Sequence, residues 1–356
     1  MIDFDFYKNK RILVTGHTGF KGTWLSTALV NAGANLLGYS RCSDKDVDFF
    51  RISGIEKHMR TAKGDIRDLP NIQKVFDEFK PEIVIHMAAQ PIVRESYLNP
   101  VETYETNVLG TVNVLECVRN CDSVKSFLNV TTDKVYLNRE LNKAFKENEP
   151  LDGFDPYSNS KSCSELVTHS YKNSFFADGR CAISTARAGN VIGGGDFAKD
   201  RIIPDCVRAA IKKESIYVRN QFSTRPYQHV LEPIFAYLMI IEKQYKDITY
   251  SGWYNIGPDD IDCINTGELV SMFCKKWGDS ISWESKSEVN APYESNFLKL
   301  DNSKAKEVLG WAPKWHINDA IEKTVDWYKK WSCGENIIIE MQDEIADYFN
   351  RESVRL

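Results

Sequence analysis

Apolar residues fall in two rhythms along this chain. Short unbroken runs read as parallel strands buried on both faces: Ile12-Leu13-Val14, Leu36-Leu37 in the stretch Asn35 to Tyr39, Ile83-Val84-Ile85, Phe127-Leu128, and Ile183 to Arg187. Between them, apolar positions recur at helical spacing. Trp24, Leu25, Ala28 and Leu29 mark one helix, and Ile72 to Phe79 a second, closed by Pro81. Val108, Val112, Leu115 and Val118 form a core stripe in a long helix predicted from Thr103 to Arg119. Strand and helix alternate up to about Arg187, which predicts an α/β fold with a doubly wound parallel sheet of Rossmann type.

Ligands of such sheets bind beyond the carboxyl ends of the strands. The first strand runs into Gly16-His17-Thr18-Gly19-Phe20-Lys21-Gly22 and then a helix, an arrangement that sets backbone amides and a helix N-terminus against a pyrophosphate. Gly16 allows the turn, Gly19 lets a ligand approach, and Gly22 lets helix and strand pack closely. This predicts a dinucleotide site, with Thr18, Phe20 and Lys21 in its lining. The second strand ends in Ser40-Arg41, where many NAD sites carry an acid, so NAD and NADP both stay open. Asp65 is placed to meet the adenine amino group and Ile66 to cover the ring. Ala88-Ala89-Gln90 follows the fourth strand with room for the cofactor, or for close packing alone. Asn107, on a helix facing the sheet, needs a partner and is expected to tie two strands together.

From about Arg201 the pattern changes to helices and loops rich in arginine: Arg201, Arg208, Arg219 and Arg225. Tyr254 to Gly257 reads as one more strand, Ile317 to Trp331 as an amphipathic helix, and the tail as a further helix. Residues 1–187 are read as the dinucleotide-binding domain. Residues 188–356 are read as a smaller α/β substrate-binding domain, with about 224–260 returning to the first.

Composition narrows this further. The 356 residues are 42% hydrophobic and 27% charged, with net charge −5 and no basic block, which argues against nucleic acid as a partner. No apolar run reaches the roughly 20 residues of a membrane helix. MIDFDFYKNKR lacks a signal-peptide core, so a cytoplasmic location is expected. Nine cysteines, scattered singly, read as free thiols and not as a metal site.

Tyr157 and Lys161 sit at i and i+4, and a neighbouring ammonium favours a phenolate. The order of dinucleotide turn, polar strand end Thr131-Thr132-Asp133-Lys134 and this pair resembles the extended short-chain dehydrogenase/reductase family over nearly the whole chain. The segments VTGHTGFKGTWLS, HMAAQPIVRESYLNP, TTDKVY, DPYSNSKSCSE, ARAGNVIGGGDFAKDRIIPD and TRPYQHVLEP look like the CDP-sugar branch of its nucleotide-sugar 4,6-dehydratases.

That resemblance implies a hydro-lyase reaction on a nucleotide sugar, CDP-glucose, that uses NAD. Tyr157 takes the 4-hydroxyl proton with Lys161 beside it, and Thr132 bonds the 4-oxygen. Asp133 protonates the departing hydroxyl, and Lys134 is the base at carbon 5. Thr131, Tyr157 and Lys161 also border the cofactor. Asn190 and Arg225 are implied at the diphosphate, Arg201 at the nucleotide, and Arg94 and Tyr97 at the sugar. The resemblance further implies a homodimer or dimer of dimers through the helices of Asn107 and Tyr157. A nucleotide-sugar 4-epimerase would use Thr132, Tyr157 and Lys161 without needing Asp133-Lys134.

Overall fold

Seven strands build the sheet: β1 (Arg11–Thr15), β2 (Asn35–Ser40), β3 (Arg60–Lys63), β4 (Ile83–His86), β5 (Ser126–Thr132), β6 (Ala182–Ala188) and β7 (Trp253–Ile256). The computed structural model describes residues 2–41, 48–278, 281–286, 295–350, 352–354 and 356. The strand order is β7-β6-β5-β4-β1-β2-β3, with every neighbouring pair parallel. The direction of winding reverses between β1 and β4, the position where such sheets open a crevice for ligands.

The unbroken apolar runs are explained by the two faces they serve. Ile12, Val14, Ile83, Ile85 and Leu128 join one core with Trp24 and Leu25 of helix α1 (Phe20–Asn31). Leu13, Val84, Phe127 and Ile183 alternate to the other core. There they meet Phe76 of α2 (Leu69–Phe79) and Leu115 of α3 (Gly110–Arg119). The same face carries α4 (Pro156–Phe175), which Asp155 caps by accepting from the Ser158 amide at 2.9 Å.

The helix predicted from Thr103 is instead three pieces. Pro100–Tyr104 leads into a wide π turn at Glu105–Leu109, and α3 continues from it. One extra residue in that turn rotates the helix beyond it by about 100°. Leu115 and Val118 therefore reach the core as expected, while Val108 and Val112 are only half-buried and Val114 takes a core place.

The later chain is mostly helical: α5 (Ile202–Lys212), α6 (Leu231–Lys246), α7 (Thr266–Trp277), α8 (Ile317–Ser332) and α9 (Ile337–Phe349). Three small strand pairs join its loops: Val191–Ile192 with Gln228–His229, Thr224–Pro226 with Cys263–Asn265, and Ile216–Val218 with Trp283–Ser285. α6 is buried along most of its length, and β7 completes the edge of the main sheet. The tail helix α9 lays Met341, Ile345 and Tyr348 into the first core, with Tyr348 against Phe235 at 5.8 Å.

Candidate active site

The turn after β1 is shaped by backbone contact. Gly16 has φ +75°, and a Cβ there would lie 2.7 Å from the Ala88 amide nitrogen. A Cβ on Gly22 would overlap the carbonyl oxygen of Gly16. At Gly19 the only neighbour of an added Cβ is that oxygen, at 3.4 Å, so this side of the turn is open. Gly19 is also the N-cap of α1, and no side chain caps its amides. Free helix amides above an open glycine face fit a dinucleotide pyrophosphate.

Polar contacts hold the residues around the turn. Thr18 Oγ1 lies 2.8 Å from Ser40 Oγ. Asp65 accepts from the Arg67 amide at 2.9 Å and from its guanidinium. Ile66 is buried beneath Gly110. Arg41 Nη1 donates to Glu102 Oε1 at 3.1 Å and lies 3.9 Å from Asp65 Oδ2, an acidic setting that disfavours a 2′-phosphate. The Ala88 amide donates to Thr15 Oγ1 at 3.2 Å, and Ala89 comes next in the same loop. Asn107 Oδ1 accepts from the Gln90 amide at 2.8 Å, and its Nδ2 donates to Gln90 O and Ser160 Oγ. It ties the loop after β4 to α4, where a tie between two strands was expected.

A cleft of about 310 Å³ opens beyond the strand ends, and it gathers Phe20, Lys21, Arg94, Thr131, Thr132, Asp133, Lys134, Tyr157, Asn190, Arg201 and Arg225. Tyr97, which is 39% exposed, does not line it. Thr132 Oγ1 donates to Asp133 Oδ1 at 3.0 Å, while Asp133 Oδ2 is buried without a hydrogen-bond partner. Burial raises the Asp133 carboxyl, against the pull of Lys134, Thr132, Arg225 and Lys21. That favours the protonated carboxyl, the form that can give a proton to a leaving hydroxyl.

Tyr157 differs from expectation. Burial pushes its phenol up to about 12, opposed by the neighbouring Thr132 hydroxyl and the charge of Arg201. The predicted lowering by Lys161 does not dominate. Lys161 Nζ donates to Val130 O at 3.0 Å, and burial lowers its own value to about 8.

Sequence reasoning missed the support beneath this centre. Glu165, one turn after Lys161, is fully buried and pairs with Arg187 Nη2 at 2.9 Å, Thr185 Oγ1 at 2.8 Å and the hydroxyl of Thr131. Burial pushes Glu165 up, but Arg187, His169 and Thr131 outweigh it and bring it to about 2. Both residues stand inside the quoted motifs, but nothing in their spacing announced a buried pair.

On the substrate side, Arg201 Nη1 donates to Asp196 Oδ2 at 2.9 Å. Arg225 is buried, with its two Nη groups on the carbonyls of Thr224 and Ser295. Asn190 lines the cleft while its carbonyl accepts from Gln228 N at 3.0 Å. Arg219, Asp200 and Tyr217 also line it; Asp200 stands within a quoted segment and Arg219 within the arginine-rich stretch, but none of the three carried an assigned role. Arg219 Nη1 donates to Asp200 Oδ1 at 2.8 Å, and Arg94 Nε lies 3.8 Å from the same oxygen. Among the described residues, no group of three acids, histidines or cysteines is placed to hold a metal, and no helix is long and apolar enough to cross a membrane. The eight described cysteines are free; Cys42 lies outside the described residues.

A dinucleotide cradle beside a Tyr-Lys helix and an arginine-lined cleft defines an extended short-chain dehydrogenase/reductase. The chain belongs to the GDP-mannose 4,6-dehydratase family, whose model matches residues 13–324. It is 45% identical over 356 residues to the CDP-glucose 4,6-dehydratase of Salmonella typhimurium, covering 98% of this chain and 99% of that one. It is 25% identical to the human dTDP-D-glucose 4,6-dehydratase, covering 90% of each. Two solved structures share the fold. One is the dTDP-glucose 4,6-dehydratase of Bacillus anthracis in complex with NAD, with TM-score 0.77, 21% identity, and 92% and 99% of the two chains covered. The other is the UDP-glucose 4-epimerase of Thermotoga maritima with UDP-glucose, with TM-score 0.79, 22% identity, and 90% and 99% covered.

Proposed function

We infer that the protein is an NAD-dependent hydro-lyase that converts CDP-glucose to CDP-4-keto-6-deoxyglucose. The observation that carries this is the 45% identity along nearly the full length of a CDP-glucose 4,6-dehydratase. The cleft geometry supports it, because Thr132, Asp133, Lys134 and Tyr157 border one space.

NAD, when bound, supplies the acceptor for the carbon 4 hydride and its donor back to carbon 6. Tyr157 takes the proton of the 4-hydroxyl, and Thr132 holds that oxygen. A phenol near 12 must be brought down for this step, and Arg201 and the Thr132 hydroxyl already act in that direction. The 4-ketone acidifies carbon 5, and Lys134 removes its proton. Asp133 protonates the carbon 6 hydroxyl, which leaves as water. Arg225, Arg201 and Asn190 serve the nucleoside diphosphate, Arg94 the sugar side, and the turn from Gly16 to Gly22 the cofactor.

Residues 188–356 act mainly as the nucleotide-sugar domain, in a cytoplasmic enzyme whose product feeds deoxysugar synthesis. A homodimer, or a dimer of dimers, forms through the helices of Asn107 and Tyr157. Leu98, Val101, Leu109 and Leu166, each at least 49% exposed, supply apolar surface there.

Incubation with CDP-glucose and NAD⁺ is expected to yield an alkali-sensitive keto sugar with no net NADH. Turnover of another nucleotide sugar but not of CDP-glucose would overturn the substrate. Full turnover after Asp133→Asn with Lys134→Met would favour an epimerase.

A further inference from the structure

Arg201 caps the start of α5, and the amide of Asp205 donates to its carbonyl at 3.0 Å. Asp205 therefore lies one turn farther along the helix, about 6 Å along the axis. Both side chains line the cleft. The proposed chemistry sets the sugar at Thr132, Asp133 and Tyr157 and the diphosphate at Arg201 and Arg225. The nucleoside must then continue beyond the arginines, away from the reacting carbons. The wall left for it is formed by Pro204 and Asp205 of α5 and by Tyr217 and Val218 of the strand Ile216–Val218.

The carboxylates on this side of the cleft are matched in different ways. Asp196 pairs with Arg201, and Asp200 with Arg219 and Arg94, so both face arginines of the cleft itself. Asp205 Oδ1 instead accepts from Arg208, which does not line the cleft. Arg208 is itself fixed by donating to the carbonyls of Phe197 and Ala198 at 3.3 and 3.2 Å. That anchor holds the carboxylate from behind. Its Oδ2 has no hydrogen-bond partner among the described residues.

An ionised carboxylate can only accept hydrogen bonds. Pyrimidine bases differ in what they present at carbon 4: cytosine carries an amino group, a donor, while uracil and thymine carry a carbonyl oxygen, an acceptor. We propose that Asp205 selects cytidine over uridine and thymidine nucleotides: its Oδ2 accepts from the 4-amino group of cytosine and repels the 4-oxygen of uracil and thymine. This rests on the reading of the substrate as a CDP-sugar. The wrong base sets acceptor against acceptor after both have lost water, which discriminates more sharply than the loss of an apolar contact. Burial and Asp200 push the Asp205 carboxyl up, while Arg208 and Arg219 pull it down. The test is therefore made at pH 8, far above the usual carboxylate range.

Dissociation constants of CDP and UDP are measured by calorimetry, with that of NAD⁺ as a check on the fold. The wild-type protein is expected to bind CDP about thirtyfold tighter than UDP, the scale of a single base-edge contact. Asp205→Asn keeps the shape but can donate as well as accept. In that variant CDP should weaken and UDP should tighten, so that the two constants come within about threefold of each other. Asp205→Ala removes both the attraction and the repulsion, and should also bring the constants together. The NAD⁺ constant should be unchanged in both variants. A thirtyfold preference that survives in Asp205→Asn would overturn the proposal. So would equal weakening of CDP and UDP, which marks a wall residue with no part in reading the base. A wild-type protein that binds UDP as tightly as CDP would instead overturn the CDP-sugar reading beneath it.

Discussion

The two sides of the cleft are built by different means. The cofactor side comes from one continuous stretch, β1 through α1, and its shape is set by backbone against backbone at Gly16 and Gly22. The substrate side draws Arg94, Arg201, Arg219 and Arg225 from separate segments. Each of these guanidiniums already engages a protein oxygen: Asp200 for Arg94 and Arg219, Asp196 for Arg201, and two carbonyls for Arg225. One side is preorganised by shape. The other holds its charges in pairs that a diphosphate must partly replace. Damage to the first is therefore steric and severe, while damage to the second is electrostatic and graded.

The largest effect is expected at the seam. Tyr157→Phe removes the proposed proton acceptor while keeping the ring, so kcat should fall about a thousandfold, in line with general acid–base catalysis. Dissociation constants for NAD⁺ and CDP, read by calorimetry, should stay within a few-fold. A parallel loss of either affinity would place Tyr157 in the wall and not in the chemistry.

Next comes the cofactor side. Gly22→Ala forces a methyl into the Gly16 carbonyl, so α1 must shift away from the turn. Overpacking of this kind costs about 1–3 kcal/mol, which weakens NAD⁺ by about tenfold to a hundredfold if the strain falls on the cradle. CDP affinity should be nearly unchanged. Equal weakening of both ligands would show that the two sides are not separable.

The same contrast explains what the sequence reveals. The cofactor side is legible because its signals are local: the strand, the glycines and the helix are consecutive, and Gly16, Gly19 and Gly22 each have a backbone reason. The cleft positions of Thr132, Asp133, Lys134 and Tyr157, to which the proposed chemistry is assigned, are legible through family motifs at strand and helix ends. The pairing of Arg219 with Asp200 is not, although Asp200 lies in a quoted segment, because their meeting depends on loops whose course no periodicity encodes. The Glu165–Arg187 pair is hidden for a related reason, since two charges buried against each other look like ordinary surface residues in a linear chain. The direction of the Tyr157 shift also escaped. It turns on how deeply the phenol is buried, and the i, i+4 spacing of its lysine says nothing of that.

The smallest expected effect probes the substrate side alone. Asp200 adopts φ +62° and places one carboxylate oxygen against both Arg219 and Arg94 at the cleft wall. It thus occupies two cations that suit a diphosphate. All three side chains are partly solvated, so the pairs are worth at most about 1 kcal/mol. Asp200→Asn keeps the shape and removes the charge, freeing both arginines. The KM for CDP-glucose should therefore fall about threefold, with kcat and the NAD⁺ constant unchanged. Arg219→Ala should raise KM by a similar factor. Both shifts should shrink as salt rises toward about 0.5 M, because exposed charges are screened over a shorter distance there. If KM rises in Asp200→Asn, the carboxylate contacts the substrate directly, and the substrate side is preorganised after all.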